Sequence, residues 1–306
     1  MMKKHDCTKS ISRFCIAQGL ALALLGASLA VNAQISLRDD KGHTLVLQQP
    51  ARRIISLAPH ITELLFAAGA GERIVGVVDY SDYPEAAKRI ANVGSHAQLD
   101  LERIVSLKPD LIVVWLHGNS QRQLEKLLNL GIPVYYNEPH RLEDVATTIE
   151  KLGRVAGTEA VAAKAARAFI ARAAELHGRY TGLPPVPVFY QVWKNPLMTI
   201  NGSHIISDVI ALCGGRNIFA DLKTLAPVIA EESVLAADPE VIGTAAADPK
   251  DDGLDRWRKW AHLKAVQRGN VFVLHPDQIS RHTPRILDGA QQMCEHFAAA
   301  RAKRLK

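Results

Sequence analysis

The sequence predicts an α/β protein with two lobes, each on a parallel sheet, joined by one long helix with a ligand cleft between the lobes. Three observations carry this. Short apolar runs alternate with helical periods over residues 53–136, the mark of a mainly parallel sheet. Residues 141–180 show no strand pattern and are dense in good helix formers. The alternation then resumes over residues 188–302.

The elements follow in order. Residues 1–14 carry Lys3, Lys4, Lys9 and Arg13, and an apolar run from Cys15 to Val31 leads into Asn32-Ala33-Gln34. A basic head, a short apolar core and small residues before the cut read as a cleavable secretory signal, cut near Ala33. A membrane anchor is the alternative, but the run is shorter than the ~20 residues a span needs and holds Gln18 and two glycines. Residues 35–48 alternate about Asp40-Lys41-Gly42 and predict a hairpin. Strands are expected at 53–57, 74–78, 111–115 and 132–136. The intervening helices are expected after Pro59, ending at Gly69, and at 101–108 and 120–130. A helix at 142–155 ends at Gly157, with Thr158 a plausible cap for the next. Residues 159–180 form the long connector, about 33 Å at 1.5 Å per residue. Gly182 and the prolines at 184, 185 and 187 stop it. The second lobe has strands at 188–193, 240–245 and 270–275 and helices at 203–213, 231–237 and 284–302. The expected organisation is a signal segment 1–33, an N-terminal lobe 34–157, a connecting helix 158–182 and a C-terminal lobe 183–306.

The lobes echo one another. Glu102 opens a short helix, with Pro109 seven residues on and an acidic residue starting the next strand; Glu232, Pro239 and Glu240 repeat this. Leu64–Gly69 is echoed by Val209–Gly214. Two echoes with different offsets indicate an internal repeat carrying an insertion or deletion.

Composition excludes some classes. Apolar residues make up 48% and charged residues 22%, a globular and not a disordered balance. The charge of +6 drops without residues 1–33 to 33 basic against 30 acidic side chains. Those basic residues are scattered and form no stripe for nucleic acid. Cys7 and Cys15 leave with the signal, so Cys213 and Cys294 remain. Two cysteines in an oxidising compartment suggest one disulfide, the alternative being two buried thiols.

Catalytic signatures are absent: no phosphate loop, no metalloprotease pair, no nucleophile elbow. No histidine pair has tight metal-ligand spacing, although His60, His96, His117, His204, His275 and His282 fall near strand ends. Aromatic residues are better placed. Tyr80 and Tyr83 follow one strand, Trp115 ends another, and Trp193 ends the first strand of the second lobe. Aromatic surfaces at strand ends of both lobes suit a large, partly apolar ligand in a shared cleft.

Five segments together carry a resemblance: Arg53–Gly69, Tyr80–Pro84, Leu101–Leu111, Cys213–Phe219 and Pro284–Cys294. The chain resembles the periplasmic iron-chelate- and cobalamin-binding proteins of bacterial ABC importers, from about Arg52 to Phe297. The resemblance implies two α/β lobes on a rigid helix, a periplasmic location, and no enzymatic activity or bound cofactor. It implies a corrinoid as the transported ligand, with haem, a ferric siderophore or, from another class, an exported α/β enzyme as alternatives. It places ligand contacts on Tyr80, Trp115 and the loop Asp277, Gln278, Ile279, Ser280 and Arg281, with Trp193 added from its position above. Four aromatic contact positions of the family read His96, Met198, Ala226 and Gln278 here. Docking to a permease dimer falls on Glu102 and Glu232, and a disulfide on Cys213 and Cys294. The protein is expected to act as a monomer, with small lobe closure.

Overall fold

The computed structural model describes residues 34–95 and 98–304. The expected signal segment, with Cys7, Cys15 and the cut near Ala33, lies outside them, as does His96. The hairpin forms from β1 (Ile35–Arg38) and β2 (Thr44–Leu47), antiparallel, burying Leu37, Leu45 and Leu47. Asp39 holds its turn, accepting hydrogen bonds from the backbone N–H of Lys41 and His43 at 3.1 and 2.7 Å.

The first lobe is a four-stranded parallel sheet of β3 (Ile54–Ser56), β4 (Ile74–Val77), β5 (Leu111–Trp115) and β6 (Val134–Asn137), in the order β4-β3-β5-β6. Ile54, Ile55 and Leu111 through Val114 are buried. Helices cover both faces, so the strands read as continuous apolar runs. The helices are α1 (Pro59–Ala67), α2 (Leu101–Ser106), α3 (Gln121–Leu128) and α4 (Leu142–Ala156). Gly69 ends α1 at φ +80°, and a Cβ there would lie 2.8 Å from Val161. Glycine thus permits both the turn and the approach of the connector.

The connector α5 runs Glu159–Tyr180. Thr158 stands at its N-cap position, but the hydroxyl donates to the carbonyl of Ala68 at 2.6 Å and ties the connector to α1.

The second lobe pairs β7 (Val186–Gln191), β10 (Gly215–Asn217), β11 (Val241–Ala245) and β12 (Val271–Leu274) in the order β10-β7-β11-β12, all parallel. Counting strands within each sheet, both lobes read 2-1-3-4. Its helices are α6 (Ile205–Leu212), α7 (Glu231–Ala237), α8 (Asp255–Arg258), α9 (Lys264–Gln267), α10 (Pro276–Ile279) and α11 (Ile286–Lys303). Three details differ from the sequence reading: the short helices α8, α9 and α10 were not expected, and two strands depart from it. β7 ends at Gln191, and Trp193 belongs to a separate small hairpin, β8 (Trp193–Lys194) with β9 (Leu197–Met198). β10 carries no apolar signature and was not foreseen; it is held by backbone pairing to β7.

A disulfide joins Cys213, at the end of α6, to Cys294 in α11. The main apolar core is continuous through both lobes. Ile149 and Leu152 of α4, Ala162 and Phe169 of the connector, and Val209 and Phe297 of the second lobe all belong to it. Among the described residues no helix is long and apolar enough to cross a membrane.

Candidate functional site

In each sheet the strand order reverses between its first and third strands, β3 and β5 in one lobe, β7 and β11 in the other. The carboxyl ends at such a reversal leave a crevice where ligands of open α/β sheets bind. In the first lobe this crevice is built around Trp115. The Asn119 side chain joins the two strand exits, accepting from the Trp115 N–H at 2.7 Å and donating to the Leu57 carbonyl at 2.9 Å. His60, at the start of α1, meets the indole edge-on at 5.4 Å. Gly118 lies against the same ring, where a Cβ would come within 1.8 Å of it. The indole is therefore clamped before any ligand arrives.

Tyr80 follows β4 and is 76% exposed. Its φ of 64° is left-handed, which costs a side-chain-bearing residue of order 1 kcal/mol. The surrounding loop holds it there. Asp79 N–H donates to the Gly94 carbonyl at 2.8 Å, and Ser81 N–H to the Val78 carbonyl at 3.2 Å. The hydroxyls of Ser56, Thr62 and Ser81 link the loop to β3 and α1. A cavity of about 250 Å³ opens beside Tyr80, Ser81 and Asp82.

In the second lobe Trp193 is 60% exposed and its indole N–H donates to the Asn195 carbonyl at 2.9 Å. Its cross-strand partner is Met198. A cavity of about 350 Å³ lies beside Trp193, Thr244 and Asp248, at the ends of β7 and β11. The large flat groups thus stand at both crevices.

The expected contact loop occupies α10 and the turn after it. Arg281 pairs with Asp277 at 2.9 Å. Ser280 is exposed, Gln278 accepts from the Gln292 amide at 2.8 Å, and Ile279 is turned wholly into the core. Arg281 also crosses to the first lobe, reaching Glu63 and Asp82 at 2.9 Å each. Arg285 grips the same Glu63 through Nε and Nη2, at 3.0 and 2.7 Å, and lies 4.0 Å from the centre of the Tyr83 ring. Burial opposes the charge on Arg281, but bonds to Asp82 and Glu63 outweigh it and hold the guanidinium above its ordinary pKa. The bond to Glu63 does the same for Arg285. Sequence reading missed Glu63, Asp82 and Arg285. Glu63 had a signal: a lone carboxylate in the apolar run of α1 must be buried against a cation.

Three of the histidines expected near strand ends, His60, His204 and His282, meet at the seam, a grouping that their spacing in sequence does not show. His282 lies 6.3 Å from His60 and 6.0 Å from His204, ring centre to ring centre. Burial, then the neighbouring His282, pushes His60 and His204 each down to about 3. Burial also lowers His282. His204 and His275 have a further use as helix caps, accepting from the N–H of Ile206 and Asp277. His117 lies 3.3 Å from Glu138. Among the described residues no cluster of histidine, cysteine or carboxylate side chains is arranged to hold a metal ion.

Glu102 and Glu232 are exposed, each the second residue of its helix, α2 or α7. Each stands two residues before a buried anchor, Ile104 or Val234. Among the described residues neither forms an ion pair, whereas the adjacent Glu231 pairs with Lys259 at 3.2 Å.

Known proteins share this architecture along nearly its full length. Residues 54–278 match the family described as periplasmic binding protein. A vitamin B12-binding protein of Vibrio cholerae is 41% identical over 252 residues, covering 82% of this chain and 91% of the relative. One from Yersinia pestis is 39% identical over 251 residues, covering 82% and 88%. The crystal structure of the periplasmic vitamin B12 binding protein of Vibrio cholerae superposes with a TM-score of 0.74 at 40% identity, covering 82% of this chain and 98% of that one. A periplasmic heme-binding protein from Roseiflexus gives 0.69 at 26% identity, covering 82% and 99%. The chain belongs to the periplasmic binding protein family and is a binding protein, not an enzyme.

Proposed function

We propose that this protein captures cobalamin or a related corrinoid in the periplasm and delivers it to the permease dimer of an ABC importer. The observation that carries the reading is the 40% likeness to a vitamin B12-binding structure over both lobes. The site chemistry supports it. Trp115, Tyr80 and Trp193 offer flat apolar surface to the faces of a macrocycle. Asp277, Ser280 and Arg281 offer donors and acceptors to its edge, with Gln278 and Ile279 supporting that loop from behind. Capture needs no bond chemistry and no cofactor of the protein's own. The lobes are residues 34–157 and 183–306, and the mature chain begins after a cut near Ala33.

Titration of the purified protein with cobalamin and, separately, with haem tests the ligand. Tight cobalamin binding weakened by Tyr80→Ala is the expected result. Haem binding without cobalamin binding would shift the assignment to the class of the Roseiflexus relative.

Docking is proposed at Glu102 and Glu232. One exposed carboxylate per lobe, at matching helix starts, suits a two-fold permease that offers a basic patch twice. Glu102→Ala with Glu232→Ala should leave ligand affinity unchanged and remove most permease binding, and added salt should weaken the wild-type complex. Undiminished permease binding by the double variant would exclude these two points. The soluble protein should run as a monomer in light scattering.

A further inference from the structure

We propose that Glu63 sets the charge preference of the cleft, making it select neutral, amide-edged ligands over carboxylate-edged ones; this rests on the corrinoid reading above. Arg281 is the cation expected at the ligand's edge, and it is already engaged. Its Nη1 reaches Glu63 and Asp82, and its Nη2 reaches Asp277, all at 2.9 Å. Arg285 spends two of its donors on Glu63 as well. Two guanidinium groups therefore face three carboxylates, and the cluster carries one formal negative charge.

Glu63 gives that charge its reach. Its side chain is 2% exposed, so water does not screen it as it screens a surface pair. A ligand carboxylate brought to Arg281 meets a cation already neutralised and a net negative field at reduced dielectric. An amide carbonyl carries no charge to repel. It can accept from the Nε and Nη2 hydrogens of Arg281, since guanidinium has five donors and the hydrogen bonds to Glu63 and Asp82 use Nη1 alone. Corrin rings are edged with amides, whereas haem carries two carboxylates. With Glu63 neutral, the two guanidinium groups face only two carboxylates, the cluster is formally neutral, and the charge of Arg285 is no longer cancelled by a buried carboxylate.

The test compares cyanocobalamin with its mono-acids, each made by hydrolysing one side-chain amide, so that the probes differ by one charge and hardly in size. Affinities are read from visible absorbance for wild type, Glu63→Gln and Asp82→Asn. Wild type should prefer the amide over at least one acid by tenfold or more. Glu63→Gln should narrow that preference below threefold, chiefly by binding the acid more tightly. A merely structural role would weaken both probes alike and leave their ratio unmoved. Asp82→Asn, on an exposed carboxylate of the same cluster, should shift the ratio in the same direction by a smaller factor and carries the test should Glu63→Gln fail to fold. A wild type that binds amide and acids equally, or an unchanged ratio in the variants that fold, overturns the inference alone. A wild type that binds no corrinoid overturns the corrinoid reading and this inference together.

Discussion

Each lobe has a four-stranded parallel sheet in the order 2-1-3-4 and presents the same kind of crevice, yet the two crevices are finished differently. In the first lobe Trp115 is braced by His60 and Gly118 and its backbone is pinned by Asn119. In the second, Trp193 stands 60% exposed on a two-residue strand of a small hairpin. The charges divide as well. The first lobe brings only the carboxylates Glu63 and Asp82 to the seam, whereas the second brings both guanidinium groups, Arg281 and Arg285, with Asp277 beside them. The disulfide lies in the second lobe. A repeated topology fixes where a site forms, while the side chains at each copy decide whether it is rigid or adaptable, acidic or basic.

Four experiments would break or sharpen that contrast. The largest effect is expected from the covalent staple. Replacing Cys213 and Cys294 by alanine should destabilise the protein by about 4 kcal/mol in denaturant titration, since the bond closes a loop across 81 positions. Hydrogen exchange should then show α6 and α11 losing protection before β3 and β5. Equal loss in both lobes would mean that the staple supports the whole chain.

Next comes the difference between the tryptophans. Trp115→Ala should cost ~2 kcal/mol or more in ligand affinity, because truncating a braced aromatic anchor loses contacts that neighbours cannot replace. Trp193→Ala, at an exposed position, should cost under about 1 kcal/mol. Gly118→Ala should mimic part of the Trp115 loss by displacing an indole that is still present. Calorimetry showing the reverse order would make the second lobe the anchor.

The seam histidines predict a pH dependence with a definite sign. His60 and His204 are held near 3, below their value of 6.5 in the unfolded chain. The unfolded chain therefore binds more protons between these limits. Stability is full above pH 6.5 and falls as the pH is lowered towards 3, by up to about 1.4 kcal/mol per pH unit for each imidazole. Denaturant midpoints at pH 7.5, 6 and 5 measure this, and a flat profile would show the rings to be hydrated. The smallest effect belongs to Tyr80. Tyr80→Gly relieves a left-handed backbone and should raise stability by about 1 kcal/mol while weakening the ligand complex. Loss of both together would mean that the ring packs on the fold.

Much of the architecture was legible because buried parallel strands are written as unbroken apolar runs, such as Leu111–Val114, and because residues 159–180 are dense in Ala, Glu, Lys and Arg, which outweigh Gly178 near the helix end. β10 was not legible, since Gly215-Arg216-Asn217 is an edge strand held by backbone bonds and carries no side-chain pattern. At the site, the pairing of Asp277 with Arg281 is local and could be read from a four-residue spacing. The bond of Glu63 to Arg285 spans 222 positions, and the three seam histidines come from three distant segments. No periodicity encodes such encounters; only the folded chain brings them together.

The continuous core has a consequence for how the molecule can be taken apart. Because Ala162, Ala166 and Phe169 of the connector are buried in the same apolar mass as Leu64 of one lobe and Phe297 of the other, cutting the chain at the connector would leave each half with an uncovered oily face. Neither half has a finished surface to show to water. The two-lobed outline therefore does not mark two separable parts: expressed alone, a lobe should aggregate, and the intact protein should melt in a single transition.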